Sequence, residues 1–225
     1  MNHGMDRPFD AVVIGAGWAG LGVSYVLAKA GLSHRVLERG RIAETWLTQR
    51  WDSFYLNTSK LMAVMPGDRY EGPDPEGFYT RDEFVALLED YARRCRLPVA
   101  INTPVTALTR DRKAGVYRLI TPAGELTARA VVIASGSLNR ARRPEVARAL
   151  PPGLLQIDAS VYRSPDALPA GAVLVVGSAR SGGQIAERPC NGTSGRLPVH
   201  WTDRPQAATL PGPRCLVMGA GQRSI

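Results

Sequence analysis

Two stretches of this chain share the same order of apolar and small residues. Residues 11–14 and 172–176 are apolar throughout, and each run leads directly into a glycine-containing turn, at 15–20 and 177–182. A short apolar run bounded by glycines is typical of a buried strand in a parallel sheet, and the mixed sequence after each turn indicates a helix. The pattern therefore predicts two strand–turn–helix units, the first with a second strand at 35–37.

In the segment between these units, the apolar residues recur with the spacing of a helix and then of strands. Thr80 and Glu83 have the spacing of a capping box, and apolar residues follow at helical spacing up to Tyr91, which predicts a helix packed on the core. Three strand-like runs separated by glycine-containing turns predict an antiparallel meander whose last strand returns to the sheet. These runs are 105–108, 116–120 and 126–133.

A long connection, from Gly40 to Tyr79, separates the second strand from this helix. Irregular connections of that length are usually functional or disordered. Its aromatic residues favour an ordered loop that covers another part of the protein. They are Trp46, Trp51, Phe54 and Tyr55.

The first turn has the GxGxxG spacing of a dinucleotide pyrophosphate site. Gly15 allows the tight turn, Gly17 lets the backbone approach the phosphates, and Gly20 lets the helix pack on the strand. Glu38 ends the second strand, 18 positions after Gly20, where an acidic residue accepts the ribose hydroxyls. A purely structural glycine turn is the alternative. The second turn has Ala179 at the middle glycine position, so a second nucleotide site and an ordinary buried turn both stay open.

Composition restricts the function classes. The net charge is +8, but no basic stripe interleaved with aromatic residues is present, so we expect no nucleic-acid partner. The three cysteines have neither disulfide-framework nor metal-ligand spacing, so we expect no metal. No apolar run approaches the roughly 20 residues that span a bilayer. A cytoplasmic protein without a membrane partner is therefore expected.

The motifs together resemble the flavoproteins with two dinucleotide-binding domains, which hold FAD on the first and NAD(P)H on the second. The middle segment resembles the flavin-containing monooxygenase group in particular, including its bacterial oxidoreductases assigned to potassium or cation transport. The matching strings lie at 44–46, 50–52, 56–60 and 77–84. The resemblance implies an α/β fold: a Rossmann-like FAD-binding domain with a parallel sheet and a small meander at 1–150, and the start of a second Rossmann-like NAD(P)-binding domain at 151–187.

The resemblance also implies site residues. Asn57 would face the flavin as the catalytic residue, where its amide can hydrogen-bond the cofactor or a bound nicotinamide, although a turn residue capping its own loop is the alternative. The implied FAD contacts are Gly15, Ala16, Gly17, Trp18, Gly20, Glu38, Arg39, Trp46, Arg50, Trp51, Val105, Ala134 and Gly136. The implied NAD(P)H contacts are Gly177, Ser178, Ser181 and Gly182.

Two departures from the family pattern concern activity. Asp158 stands where the monooxygenase fingerprint has a histidine, and Ala179 replaces a glycine. Arg188-Pro189 stops the second helix, and residues 188–225 have the proline and glycine content of disordered segments. We expect an irregular tail there and a truncated or frameshifted chain, because the out-of-frame reading can encode strings similar to the family's continuation.

The resulting hypothesis is an FAD-dependent, NAD(P)H-linked oxidoreductase of the flavin monooxygenase type that acts on a small molecule. The alternative is a non-catalytic remnant or a plain dinucleotide-binding module.

Overall fold

The computed structural model describes residues 7–137, 141, 143, 145–169, 173–177, 179–187 and 215–218. The strands are β1 Phe9–Ile14, β2 His34–Leu37, β3 Tyr55–Ser59, β4 Phe78–Thr80, β5 Val99–Ala100, β6 Ala107–Asp111, β7 Val116–Thr121, β8 Gly124–Ile133, β9 Leu155–Asp158, β10 Val173–Val176 and β11 Cys215–Met218. The α-helices are α1 Trp18–Lys29, α2 Glu44–Thr48, α3 Arg81–Arg94 and α4 Arg180–Ala186, and two short 3₁₀ helices span Glu145–Ala149 and Pro165–Ala167.

The chain divides into two compact units. The first comprises Met1–Glu44 and Thr58–Gly136, and the second comprises Thr45–Asn57 and Ser137–Ile225. The sequence placed residues 45–57 and 137–150 in the first domain, and the structure groups them with the second. Among their contacts, Tyr55 bonds with Gln184 of α4, and Ala147 packs against Leu174 of β10.

A six-stranded sheet in the order β5-β2-β1-β8-β7-β6 forms the first unit. Its first four strands are parallel, and β7 and β6 extend it in antiparallel fashion. Val12, Leu37, Leu119 and Ala128 form a buried cluster on this sheet. The α/β class, the meander and the return of β8 to the parallel sheet are thereby confirmed.

The parallel pairing brings three chain segments to one edge of the sheet. Gly15 follows β1, Glu38 follows β2 and Ala134 follows β8, and the carboxyl ends of these neighbouring parallel strands lie side by side. Ligands of open α/β sheets bind at this edge. The predicted first site is therefore assembled by the strand order.

The second unit contains a parallel three-stranded sheet in the order β10-β11-β9. The strand and helix predicted from the second glycine turn are confirmed as β10 and α4. The sequence missed β9, and the expectation of an irregular tail is wrong at Cys215–Met218, which pairs with both β10 and β9. Four apolar residues suffice for a strand that is paired on both sides, although the Pro- and Gly-rich flanks suggested otherwise. The rest of the tail lies outside the described residues.

The long connection is more regular than predicted. It contains α2 and β3, and β3 forms a two-stranded sheet with β4. Trp51 and Phe54 are buried and supply the apolar contacts that order the segment. In the described part of the chain, no helix has both the length and the apolar character needed to cross a membrane.

The predicted capping box at α3 is present in full. The hydroxyl of Thr80 accepts from the backbone N–H of Glu83, and the carboxylate of Glu83 accepts from the backbone N–H of Thr80 at 2.8 Å. These bonds hold the pKa of Glu83 below its usual value.

We expect Thr80→Ala to lower the free energy of unfolding by about 1 kcal/mol, because the backbone N–H of Glu83 loses the hydroxyl that accepts its hydrogen bond. Thr80→Ser keeps the hydroxyl and is the control. Urea titration of the three proteins measures the difference, and equal stability of Thr80→Ala and Thr80→Ser would show that the cap contributes nothing.

Candidate cofactor site

Two glycines of the first turn are required by the protein itself. Gly15 has φ of +108°, and a Cβ there would lie 2.5 Å from the carbonyl oxygen of Ala134. A Cβ on Gly20 would lie 1.9 Å from the carbonyl oxygen of Gly15. Both contacts are far inside van der Waals distance, so any side chain would push α1 or β8 away from the turn.

Gly17 is different. Its φ of −89° is a backbone angle that any residue can adopt, and a Cβ built there meets no atom of the described residues within 4 Å. Gly17 is also the N-cap of α1, with no side-chain hydrogen bond to the first turn and no acidic residue in that turn. The backbone N–H groups at this helix end are thus left for an anion, with the positive end of the helix dipole behind them.

Glu38 is buried and closes the turn from the side of β2. One carboxylate oxygen accepts from the backbone N–H of Ala16 at 2.7 Å, and the other accepts from the backbone N–H of Gly40 at 3.0 Å. Each oxygen has capacity for a further hydrogen bond. Glu38 therefore has a structural role that the sequence did not indicate, and its remaining lone pairs can still accept hydroxyl groups.

The other predicted contacts of the first unit have individual positions. Ala134 donates its backbone N–H to Ile14 at 2.8 Å, and Gly136 has φ of +78°. Arg39 is exposed beside Glu38, whereas Val105 is half-buried against the core cluster. The ring of Trp18 stacks on Phe84 at 5.5 Å, so its side chain packs on α3 and only its backbone belongs to the turn.

The second turn repeats the geometry of the first. Gly177 has φ of +123°, and a Cβ on Gly182 would lie 2.1 Å from the carbonyl oxygen of Gly177. Ala179 is the N-cap of α4, with φ of −78° and no side-chain hydrogen bond. Ser181 lies in the first turn of α4, and Ser178 lies outside the described residues. The second unit thus repeats the strand, turn and helix of the first, and in its turn alanine replaces the middle glycine.

Residues 45–57 of the second unit carry an aromatic cluster around a cation. Trp51 meets Phe54 edge-on at 5.1 Å, and Trp46 meets Phe54 at 5.7 Å. The guanidinium of Arg50 lies over the ring of Trp46 at 4.8 Å and over that of Phe54 at 5.5 Å. Burial lowers the pKa of Arg50, and no carboxylate among the described residues pairs with it.

Two buried polar atoms of this segment have no hydrogen-bond partner among the described residues. They are the indole Nε1 of Trp51, whose residue is 2% exposed, and the Oε1 of Gln49. A buried donor without an acceptor costs about 1–3 kcal/mol.

Arg163 fixes this segment from the loop after β9. Its carbonyl oxygen accepts from the backbone N–H of Asp52 at 2.9 Å, and its guanidinium donates to the carbonyl oxygens of Thr48 and Arg50. The sequence analysis missed this role, because a single arginine in an irregular stretch carries no spacing signal.

Asn57 lies in β3 and is exposed, and its amide oxygen accepts from Nε2 of Gln184 at 3.4 Å. The alternative of a turn residue capping its own loop does not describe this contact. The sequence also missed Gln184, which is buried in α4.

Asp158, the residue that departs from the family pattern, ends β9 and forms a two-point ion pair with Arg143. Both N–O distances are 2.9 Å, and the pairing raises the pKa of Arg143. No group of histidine, cysteine, aspartate or glutamate side chains in the described ranges could hold a metal ion.

The described geometry agrees with the profile of one protein family. The profile named pyridine nucleotide-disulphide oxidoreductase matches residues 12–194. The chain belongs to this family. The match includes both glycine turns and the aromatic segment between them.

Individual members of the family and its structural neighbours are oxidoreductases. The chain is 36% identical over 183 residues to an uncharacterized CzcO-like oxidoreductase of Geobacillus kaustophilus, covering 81% of this chain and 51% of that protein. It superposes on a flavin-containing monooxygenase from Stenotrophomonas maltophilia with a TM-score of 0.73 at 22% identity, covering 97% of this chain and 79% of the other. An oxidized steroid monooxygenase bound to NADP superposes with a TM-score of 0.63 at 25% identity, and the match covers 80% of this chain and 36% of the monooxygenase. The chain spans about half the length of the curated relatives it matches.

We expect opposite effects from substitution of Gly17, the N-cap of α1, and of Gly20, which lies within α1. We expect Gly20→Ala to lower the free energy of unfolding by more than about 2 kcal/mol, because the new methyl group overlaps a backbone oxygen. Gly17→Ala places its methyl group in open space and should cost no more than about 1 kcal/mol as a poorer N-cap. Urea unfolding of both variants checks this, and an equal loss would show that Gly17 is also a structural glycine.

Proposed function

We propose that this chain binds FAD and NAD(P)H and acts as an oxidoreductase of the flavin monooxygenase type on a small-molecule substrate. The observation that carries the proposal is Gly17. It is a glycine that neither its own φ nor any neighbouring atom requires, and it lies at an uncapped helix end. A ligand whose phosphates approach the backbone explains why a side chain is absent there.

The residues of the first turn fit the adenosine and pyrophosphate half of FAD. The open N–H groups of α1 would bind the pyrophosphate, and the unused lone pairs of Glu38 would accept the ribose hydroxyls. Glu38 already fixes the backbone at Ala16 and Gly40, so its carboxylate is held in place before a ligand arrives. A residue held in advance loses little freedom on binding.

The residues of the aromatic segment fit the flavin half. The cation of Arg50 has no carboxylate partner in the described part of the second unit and would be available to an anionic group of the ligand. Asn57 supplies an exposed amide held by a buried neighbour. These groups are donors or cations, which suits an electron-rich, partly anionic ligand.

The flavin supplies the redox chemistry when bound, because it accepts a hydride from reduced nicotinamide and passes electrons to oxygen. The residues of this chain would bind the two cofactors and orient them. Trp46 and Trp51 exclude water around the cation, while the amide of Asn57 offers a fixed hydrogen bond at the reacting group. No side chain of the described residues is needed as a nucleophile.

The second glycine turn would take NAD(P)H. Its backbone repeats the first turn at Gly177 and Gly182, and the family and the NADP-bound steroid monooxygenase support the nicotinamide partner. The methyl group of Ala179 replaces the middle glycine, so we expect weaker nucleotide binding there than at the first turn. A cytoplasmic location is part of the same proposal.

The absorption spectrum of the purified chain, after addition and removal of excess FAD, tests the proposal. A retained band near about 450 nm is expected, together with its bleaching by NADPH under anaerobic conditions. A chain that stays colourless after reconstitution would be a structural remnant of the family, and retained colour without bleaching would restrict it to flavin binding.

Glu38→Gln keeps the size of the side chain and removes its charge. We expect affinity for FAD to fall at least about tenfold, because charge-assisted bonds of roughly 1.5–3 kcal/mol each are lost at the ribose. Fluorescence quenching of FAD gives the dissociation constant, and urea unfolding separates loss of the Ala16 contact from loss of ligand contacts. Unchanged affinity would remove Glu38 from the site.

A further inference from the structure

Gln184 makes an unusual set of contacts for a side chain in a helix. It is 4% exposed, and its amide bonds with both backbone groups of Tyr55 in β3. Nε2 donates to the carbonyl oxygen of Tyr55 at 3.0 Å, and Oε1 accepts from the backbone N–H of Tyr55 at 3.4 Å. The side chain therefore pairs with β3 in the way that a neighbouring strand would.

This pairing fixes which end of the Gln184 amide faces which group. A backbone N–H can only donate and a backbone carbonyl can only accept. The oxygen of Gln184 must face the N–H of Tyr55, and its amino group must face the carbonyl. The orientation is thus determined by the peptide backbone.

The orientation of the Gln184 amide determines the orientation of the Asn57 amide. The amino group of Gln184 has two hydrogens, and the second one faces Oδ1 of Asn57 at 3.4 Å. Because Gln184 presents a donor, Asn57 must present its oxygen. The amino group of Asn57 is then the part of its exposed amide that remains available to a ligand.

We propose that Gln184 is a positioning residue that holds Asn57 as a hydrogen-bond donor toward the flavin or the nicotinamide. The inference rests on the proposed function, since Asn57 has a catalytic role only if a flavin is bound. Without Gln184 an asparagine amide can rotate by half a turn and present its oxygen, which would repel the electron-rich atoms of a reduced cofactor. A fixed donor also avoids reorganisation during the reaction.

Gln184→Glu is the decisive variant because it has nearly the same shape. An ionised carboxylate still accepts from the N–H of Tyr55, but it donates neither to the carbonyl of Tyr55 nor to Asn57. The amide of Asn57 should therefore turn its amino group toward the carboxylate. Below the pKa of the introduced acid, which burial raises, the acid carries one hydrogen, which it can donate to the carbonyl of Tyr55 or to Asn57 but not to both. Arg180 and Glu187, the charged groups of α4 that act on Tyr55, are unchanged in this variant, and so is the titratable hydroxyl of Tyr55 on β3.

Glu187→Gln is the matched control. Glu187 lies on the same helix and accepts from the hydroxyl of Tyr55 at 3.0 Å, but it does not touch Asn57. A glutamine at this position still accepts that hydroxyl. The substitution changes the charge of α4 and leaves the contact between Gln184 and Asn57 in place.

The first readout needs no cofactor and follows the side-chain amide protons by ¹⁵N NMR, with assignments from Gln184→Met and Asn57→Asp. In the unsubstituted chain we expect slow solvent exchange for the amide of Gln184 and fast exchange for that of Asn57. In Gln184→Glu, at a pH above the pKa of the introduced acid, the amide of Asn57 should become protected, and in Glu187→Gln it should not. Fast exchange of the Gln184 amide, or no change at Asn57, would overturn the proposal.

The second readout is turnover of NADPH by the flavin-loaded chain. We expect kcat of Gln184→Glu to fall about 10²-fold at a pH above the pKa of the introduced acid, with little change in KM for NADPH, and to recover at most in part below that pKa, because the acid has one hydrogen to donate where the amide has two. Gln184→Met should lose kcat at every pH, and so should Asn57→Asp, which keeps the contact with Gln184 but has no donor. Turnover by Gln184→Glu equal to that of the control would refute the positioning role while leaving the proposed function intact. A chain that holds no flavin would refute the proposed function and this role with it, whatever the exchange data show.

Discussion

The close approach of a helix to the turn that precedes it is the constraint on which this structure depends. In each unit the last glycine of the turn lies against the carbonyl oxygen of the first, at a distance that excludes a side chain. This contact directs the helix back along the sheet and points its N-terminus at the carboxyl edge of the strands. The N–H groups at that edge are a consequence of the packing, and the proposed pyrophosphate site of the first unit would use them without any charged side chain.

The polar residues of the site build on this backbone arrangement. Glu38 ties the end of β2 to the first turn through Ala16, so the acid and the helix end have a fixed spacing within the first unit. In the second unit, Arg163 and Gln184 bind the backbone of residues 45–57, which carry Arg50, Trp51 and Asn57. The groups proposed to contact the cofactor are thus held by residues that are themselves bonded to backbone atoms. Backbone-bonded supports give a side chain one orientation, which binding and catalysis both require.

The sequence predicted the features that depend on local geometry. Gly15 and Gly20 could be recognised because the turn and the helix contact lie within a few residues, and Thr80 with Glu83 could be recognised because a cap is a local motif. The strands β9 and β11 were missed, since a parallel strand of four residues is stabilised by partners far along the chain. Gln184 and Arg163 were missed for the same reason, because each acts on a segment more than 100 positions away. The charge of Glu38 suggested a ribose contact, whereas its bonds to Ala16 and Gly40 could be learned only from the fold.

The central claim is that the first turn has its middle glycine for a ligand and not for the fold. Calorimetric titration with ADP tests this most directly, because ADP contains the adenosine and diphosphate that the turn and Glu38 would bind and lacks the flavin. The account predicts saturable binding of ADP to the unsubstituted chain, weak binding of AMP, and loss of ADP binding in Gly17→Val while its unfolding transition stays cooperative. Equal binding of ADP by both proteins would contradict the account, and so would a failure of the unsubstituted chain to bind ADP at all.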